Sequence, residues 1–132
     1  MTQKKIMVPI GPNMKDLNQV HHALALAERI QARVFFLRLD LPAGPKDRRM
    51  IWVEEALLDL INSARQAGLD VSYQVVRGDD LEEVVAIILK ENINLVIIGT
   101  QDGDLERHLL KIRSVLPSQI IRVQEKENIT YL

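Results

Sequence analysis

Two short apolar runs, each halted by glycine, constrain this chain more than any other feature. Ile6–Ile10 stops at Gly11-Pro12, and Leu95–Ile98 stops at Gly99-Thr100. Runs that are apolar at every position suit strands buried on both faces, as in a parallel sheet covered by helices. The segments between them change period. Leu17, Val20, Leu24 and Ala27 recur at helical spacing and predict an amphipathic helix to about Gln31, with Asn13 as a candidate cap.

The alternation continues along the chain. Val34–Leu39 is rich in branched and aromatic residues and predicts a second strand. Asp40–Arg49, broken by Pro42, Gly44 and Pro45, reads as a loop. Val53, Leu57, Leu60, Ala64 and Ala67 form the stripe of a second helix that stops at Gly68. Val71–Val76 predicts the third strand. Asp79 with Glu82, or Asp80 with Glu83, forms a capping-box-like start for a third helix striped by Leu81, Val84, Val85 and Ile88. Leu95–Ile98 and Ser118–Val123 are the fourth and fifth strands, with Leu105, Leu109 and Ile112 on a helix between them. Parallel strands require crossover connections, so the pattern implies a single α/β domain over residues 1–132 with helices on both faces of the sheet. Glu125–Leu132 is polar, then mildly apolar, and reads as a loosely held tail.

Composition excludes several classes of function. Seventeen basic residues against 18 acidic ones leave no electrostatic footprint for nucleic acid or an anionic membrane. The absence of cysteine removes disulfides, thiolate nucleophiles and thiolate metal sites. The longest apolar run, Val84–Leu89, is far short of a membrane span, and the MTQKK start precedes no secretory core. A cytoplasmic protein is expected.

Three stretches, taken in order, resemble the universal stress protein family: "KKIMVPI" (4–10), "VVRGDDLEEVVAIILKENINLVIIGT" (75–100) and "LLKIRSVLPSQIIRV" (109–123). The resemblance covers almost the whole chain. It implies a doubly wound, Rossmann-like sheet of five parallel strands in the order 3-2-1-4-5. Ligands of such sheets sit outside the strand C-termini where the order reverses, here between the first and fourth strands, beside Gly11 and Gly99. The resemblance also implies a homodimer paired through the fifth strand, by Ile120, Ile121 and Val123.

Members that bind ATP resemble G-x-x-G, nine residues, then G-S or G-T. Glycines let the backbone approach phosphate, and exposed N–H groups at a helix start hold it. This chain departs from that pattern. Gly99 and Gly103 are separated by three residues, and the ninth residue after Gly103 precedes Arg113-Ser114, which keeps the serine and loses the glycine. The carboxylate that such members carry soon after the first-strand proline is also absent, because Pro9 leads into Ile10 and Gly11. Arg113 would either grip phosphate in place of glycine or fill its space. Asp102 and Asp104 would repel a triphosphate lacking Mg²⁺.

Two functions follow. In the first, the protein is non-catalytic and regulatory, acts by dimerisation and partner binding, and carries a degenerate nucleotide loop. In the second, it senses ATP or AMP, with Mg²⁺ and slow hydrolysis. Gly99, Thr100, Gly103, Arg113 and Ser114 would then hold phosphate, with Gly11 and Leu39 beside the base and ribose. No hydrolase elbow, Walker lysine loop or dinucleotide turn occurs, so no catalytic residue is expected.

Other candidates carry less. His21 and His22 point about 100° apart on a helix and make no metal pair. Asp102, Asp104 and Glu106 lack a calcium loop's twelfth-position glutamate, where Arg113 stands, and read as a solvated acidic turn. His108 reads as an exposed helical histidine, Trp52 as core or interface, and Lys46, Arg48 and Arg49 as a solvated loop.

Overall fold

A computed structural model describes residues 3–11, 14, 16–40, 48–77, 81–100, 103–125 and 128–132. The candidate caps Asn13, Asp79 and Asp80, the loop 41–47 and Asp102 lie outside these, as do the side chains of Arg48 and Arg49. The element order is β1 (Lys5–Ile10), α1 (Asn18–Ile30), β2 (Arg33–Asp40), α2 (Arg48–Gln66), β3 (Val71–Arg77), α3 (Leu81–Glu91), β4 (Leu95–Gly99), α4 (Gly103–Lys111), a 3₁₀ turn (Arg113–Val115), β5 (Gln119–Glu125) and β6 (Asn128–Tyr131).

The strands form one sheet of order β3-β2-β1-β4-β5-β6. The first five are parallel, as predicted. β6 is antiparallel to β5, so residues expected to form a loose tail build a sixth strand. Its hold is apolar: Ile129 packs against the core on one face of the sheet and Leu132 against the core on the other.

Strand residues divide between those two cores with a period of two. Ile6, Val8, Ile10, Val34, Phe36, Ile97, Ile121 and Val123 face α1 and α2, meeting Val20, Ala23, Leu57 and Ile61. Met7, Phe35, Leu37, Leu39, Val96, Ile98 and Ile120 face α3 and α4, meeting Val84, Ile88, Leu105 and Leu109. Trp52 belongs to neither and is 67% exposed, which excludes the core reading.

One central strand contains a proline, which sheets normally confine to their edges. The Lys5 N–H donates to Asn94 Oδ1 and the Lys5 carbonyl accepts from the Asn94 N–H, so odd-numbered residues of β1 face β4. The donor that Pro9 lacks therefore points toward β4, where the β1–β4 ladder reaches only Ile6↔Leu95 and Met7↔Val96. Gln19 of α1, itself buried, donates to the Pro9 carbonyl at 2.6 Å. Beyond Met7 the two strands no longer pair, while β1 and β2 stay in register to Ile10↔Arg38. The sheet is thus split at its C-terminal end, where the strand order reverses.

Candidate functional site

The split is the crevice where a doubly wound sheet binds ligands. β1 delivers Gly11, β4 delivers Gly99 and Thr100, and α4 begins at Gly103 beside them. Leu39 also lies at this end, on β2, but its side chain is buried in the core facing α3 and α4. Five of the seven residues predicted from sequence thus reach the same end of the sheet.

Arg113 and Ser114 do not. α4 is nine residues long, so it carries the chain about 13 Å back along the sheet. Both residues sit in the turn after it, exposed, just before β5 begins. That beginning is fixed to the opposite end of the sheet: Gln119 pairs with Leu95, the Gln119 N–H donates to the Asn94 carbonyl, and Ser118 Oγ donates to the Ile93 carbonyl at 2.6 Å. Arg113 therefore neither grips phosphate at the crevice nor fills it. Nine residues in helical conformation cannot fold back to where the glycines are.

The α4 N-terminus is also electrostatically occupied. Its N–H groups favour negative charge, and the helix supplies its own in Asp104 and Glu106. Asp104 pairs with Arg107, and Glu106 pairs with Arg122 of β5 at 2.7 Å. Glu106 is therefore an anchor between helix and sheet, not part of a solvated turn. His108 is half-buried, more enclosed than the sequence suggests. A Cβ at Gly103 would make only an ordinary contact of 3.7 Å with Arg107, so this turn has no steric need of glycine.

Sequence reading missed the group that dominates the other wall. Arg38, at the end of β2, is 13% exposed at its side chain and bridges Glu54 of α2 at 3.2 Å and Asp40 at 3.7 Å. Tyr73 of β3 lies beside it. Burial raises the Tyr73 phenol above its ordinary range, Glu54 and Asp40 add to the rise, and the Arg38 charge and hydrogen bond oppose it. Arg38, Glu54 and Leu57 enclose, with Ile10, Gly11, Met14 and Val53, a cavity of about 20 Å³, room for roughly one water. Pockets that hold drug-sized ligands run to about 300–1,000 Å³. A signal for Arg38 existed: it is a lone charge inside the run "VFFLRLD", and a charge on a buried strand needs a partner.

No group of three or more metal-ligating side chains occurs among the described residues. Nor is any described helix long and apolar enough to cross a membrane.

A five-strand parallel core in the order 3-2-1-4-5, split beside Gly11 and Gly99, defines a doubly wound, Rossmann-like α/β protein. Residues 2–116 match the model of the universal stress protein family, and the chain belongs to that family. A search of curated protein sequences gives no match. Solved structures share the fold at low identity. A universal stress protein from Archaeoglobus fulgidus in complex with dAMP is 18% identical, with a TM-score of 0.59 over 91% of this chain and 98% of its own. A universal stress protein in complex with cAMP is 15% identical, with a TM-score of 0.61 over 93% and 98%. A family member from Arabidopsis thaliana with AMP bound is 15% identical, with a TM-score of 0.58 over 94% of each chain.

Proposed function

We propose that this chain is a non-catalytic, regulatory universal stress protein in which the crevice no longer holds a nucleotide triphosphate. It acts through protein association, not turnover. One observation carries the reading: α4 removes Arg113 and Ser114 to the far end of the sheet, so the last element of the phosphate-binding pattern is missing from the crevice. The small cavity and the Arg38–Glu54 pair across it point the same way. A cytoplasmic setting fits a chain with no described membrane-spanning helix.

A second reading has support of its own. Structural neighbours carry AMP, dAMP or cAMP, and Gly11, Gly99, Thr100 and Gly103 remain together here. A monophosphate sensor would use those residues and the α4 N-terminus without Arg113, with Mg²⁺ needed only if ATP were the ligand.

Thermal unfolding with AMP, cAMP, ADP and ATP, each with and without Mg²⁺, separates the two. A ligand at a hundred times its dissociation constant stabilises by about 2.7 kcal/mol, a shift of several degrees. No shift with millimolar ATP and Mg²⁺ is expected. A shift with ATP would overturn the first reading, and one confined to AMP or cAMP would establish the second.

A further inference from the structure

The end of the sheet opposite the crevice holds a second cavity, of about 200 Å³ against about 20 Å³ beside Arg38. Gln3, Lys4, Lys5, Asn92 and Asn94 line it, so it lies where β1 begins and the turn from α3 to β4 passes. All five are polar and none is acidic. The Lys5 N–H donates to Asn94 Oδ1 at 2.8 Å, which engages the amide's acceptor and leaves Nδ2 donating to no described residue. Asn92, in the left-handed position that ends α3 (φ +55°), adds a second side-chain amide with no described partner. Lys5 Nζ donates to the Glu91 carbonyl at 2.9 Å and lies 3.9 Å from the Glu91 carboxylate, which neutralises it. Lys4 forms no ion pair among the described residues, so its charge is uncompensated at the cavity.

The surroundings have the same sign. In a doubly wound parallel sheet the helices end where the strands begin, and here their last turns carry Arg29, Arg65, Lys90 and Lys111. Part of that charge offsets the negative helix ends. A chain with 17 basic and 18 acidic residues nonetheless gathers cations at this end. We propose that the cavity binds a phosphate group, either the free ion or the end of a small phosphomonoester. An ammonium supplies a point charge and side-chain amides supply directed donors, a set that suits a tetrahedral oxyanion with acceptors on every side. A cation finds no carboxylate on this lining, and an apolar ligand finds no apolar residue. The volume falls below the roughly 300–1,000 Å³ of drug-sized sites and suits a phosphate with a few attached carbons. Because the cavity and the crevice lie at opposite ends of the sheet, whether the crevice holds nucleotide has no bearing on this assignment.

The full chain can be titrated with sodium phosphate, glycerol phosphate and sodium acetate at constant ionic strength and followed by amide NMR. Phosphate should give saturable shifts in the side-chain amides of Asn92 and Asn94 and in the Lys5 N–H, with Gly99 and Gly103 unmoved. Tighter binding of glycerol phosphate would identify an ester as the ligand, and equal or weaker binding the free ion. Lys4→Gln removes the uncompensated charge and should weaken binding by about fivefold. Asn94→Asp keeps an acceptor for the Lys5 N–H, replaces the donors with negative charge and should abolish binding. Both variants are checked for folding by circular dichroism, and Lys4→Gln, on an exposed residue, decides alone if Asn94→Asp does not fold. The proposal is overturned if the shifts do not saturate, if acetate produces them equally, if they fall on Gly99 and Gly103 instead, or if either folded variant binds phosphate as the parent does.

Discussion

At the scale of single residues, the crevice depends on polar side chains placed where the backbone leaves a gap. Pro9 offers no N–H toward β4, and its carbonyl, which also points away from β2, would be orphaned inside the protein without Gln19. A buried acceptor left bare costs about 1–3 kcal/mol. Gln19→Leu keeps the bulk and removes the donor, so it should lower stability by about that amount, or a few degrees of Tm per kcal/mol in a chain of this size. Equilibrium urea melts would read this directly, and an unchanged midpoint would mean that water or a neighbour satisfies the carbonyl equally well. The sequence shows a glutamine on the inner face of a helix but not the carbonyl it serves, because that contact joins α1 to β1 and neither element contains it alone. Arg38 differs. Its place in an apolar run signals a buried charge, though not that Glu54, sixteen positions on, neutralises it.

Elements were legible where their period was long and hidden where they were short. Four helices and five strands follow from apolar spacing, because the helices bury a stripe and the inner strands bury both faces, while the edge strand β3 buries only Val71 and Val76. β6 was not legible: of its described side chains only Ile129 enters a core, and one apolar residue has no period. The α4 segment shows the same limit in the site. Counting residues from Gly103 to Arg113 treats the intervening chain as a loop, whereas Leu105 and Leu109 bury it as a helix and set its far end on the other side of the sheet. Helix ends were legible too, though not their backbone: α2 stops at Gly68, whose φ is +93°, as its glycine predicts, and α1 stops at Gln31 as its spacing predicts, but Gln31 takes φ +56°, where a side chain is strained. Left-handed backbone costs a non-glycine residue about 1–2 kcal/mol, partly offset by the extra chain entropy glycine loses on folding. Gln31→Gly should therefore stabilise the protein by about 0.5–1 kcal/mol, and Gln31→Val should destabilise it. A lower urea midpoint for Gln31→Gly would show that the Gln31 bond to the Glu28 carbonyl outweighs the strain.

For the molecule as a whole, two titrating side chains on the face of α1 and α2 bound the pH range of greatest stability. His22, half-buried on α1, is held below the ordinary imidazole range, first by burial and then by the charge of Arg29. Its unfolded reference is about 6.5. As pH falls through that value the unfolded chain takes up the proton first, so the equilibrium moves toward unfolding and stability is lost on the acid side. Tyr73 is displaced in the other direction, raised by burial with Glu54 and Asp40 and opposed by Arg38. Its unfolded reference is about 10. As pH rises through that value the unfolded chain loses its proton first, and stability is lost on the alkaline side. Their contribution to the stability curve is therefore flat between about pH 6.5 and 10 and falls at both ends. His22→Gln should flatten the acid limb without touching the alkaline one, and Tyr73→Phe should do the reverse. Urea melts from pH 5 to 11 on the three proteins would separate the limbs, and an acid limb unchanged in His22→Gln would remove His22 as its cause. The alkaline limb also reports on the crevice: a ligand that draws Arg38 away from Tyr73 removes the charge opposing the rise, so the Tyr73 contribution should still begin to fall near pH 10 but fall further when such a ligand binds.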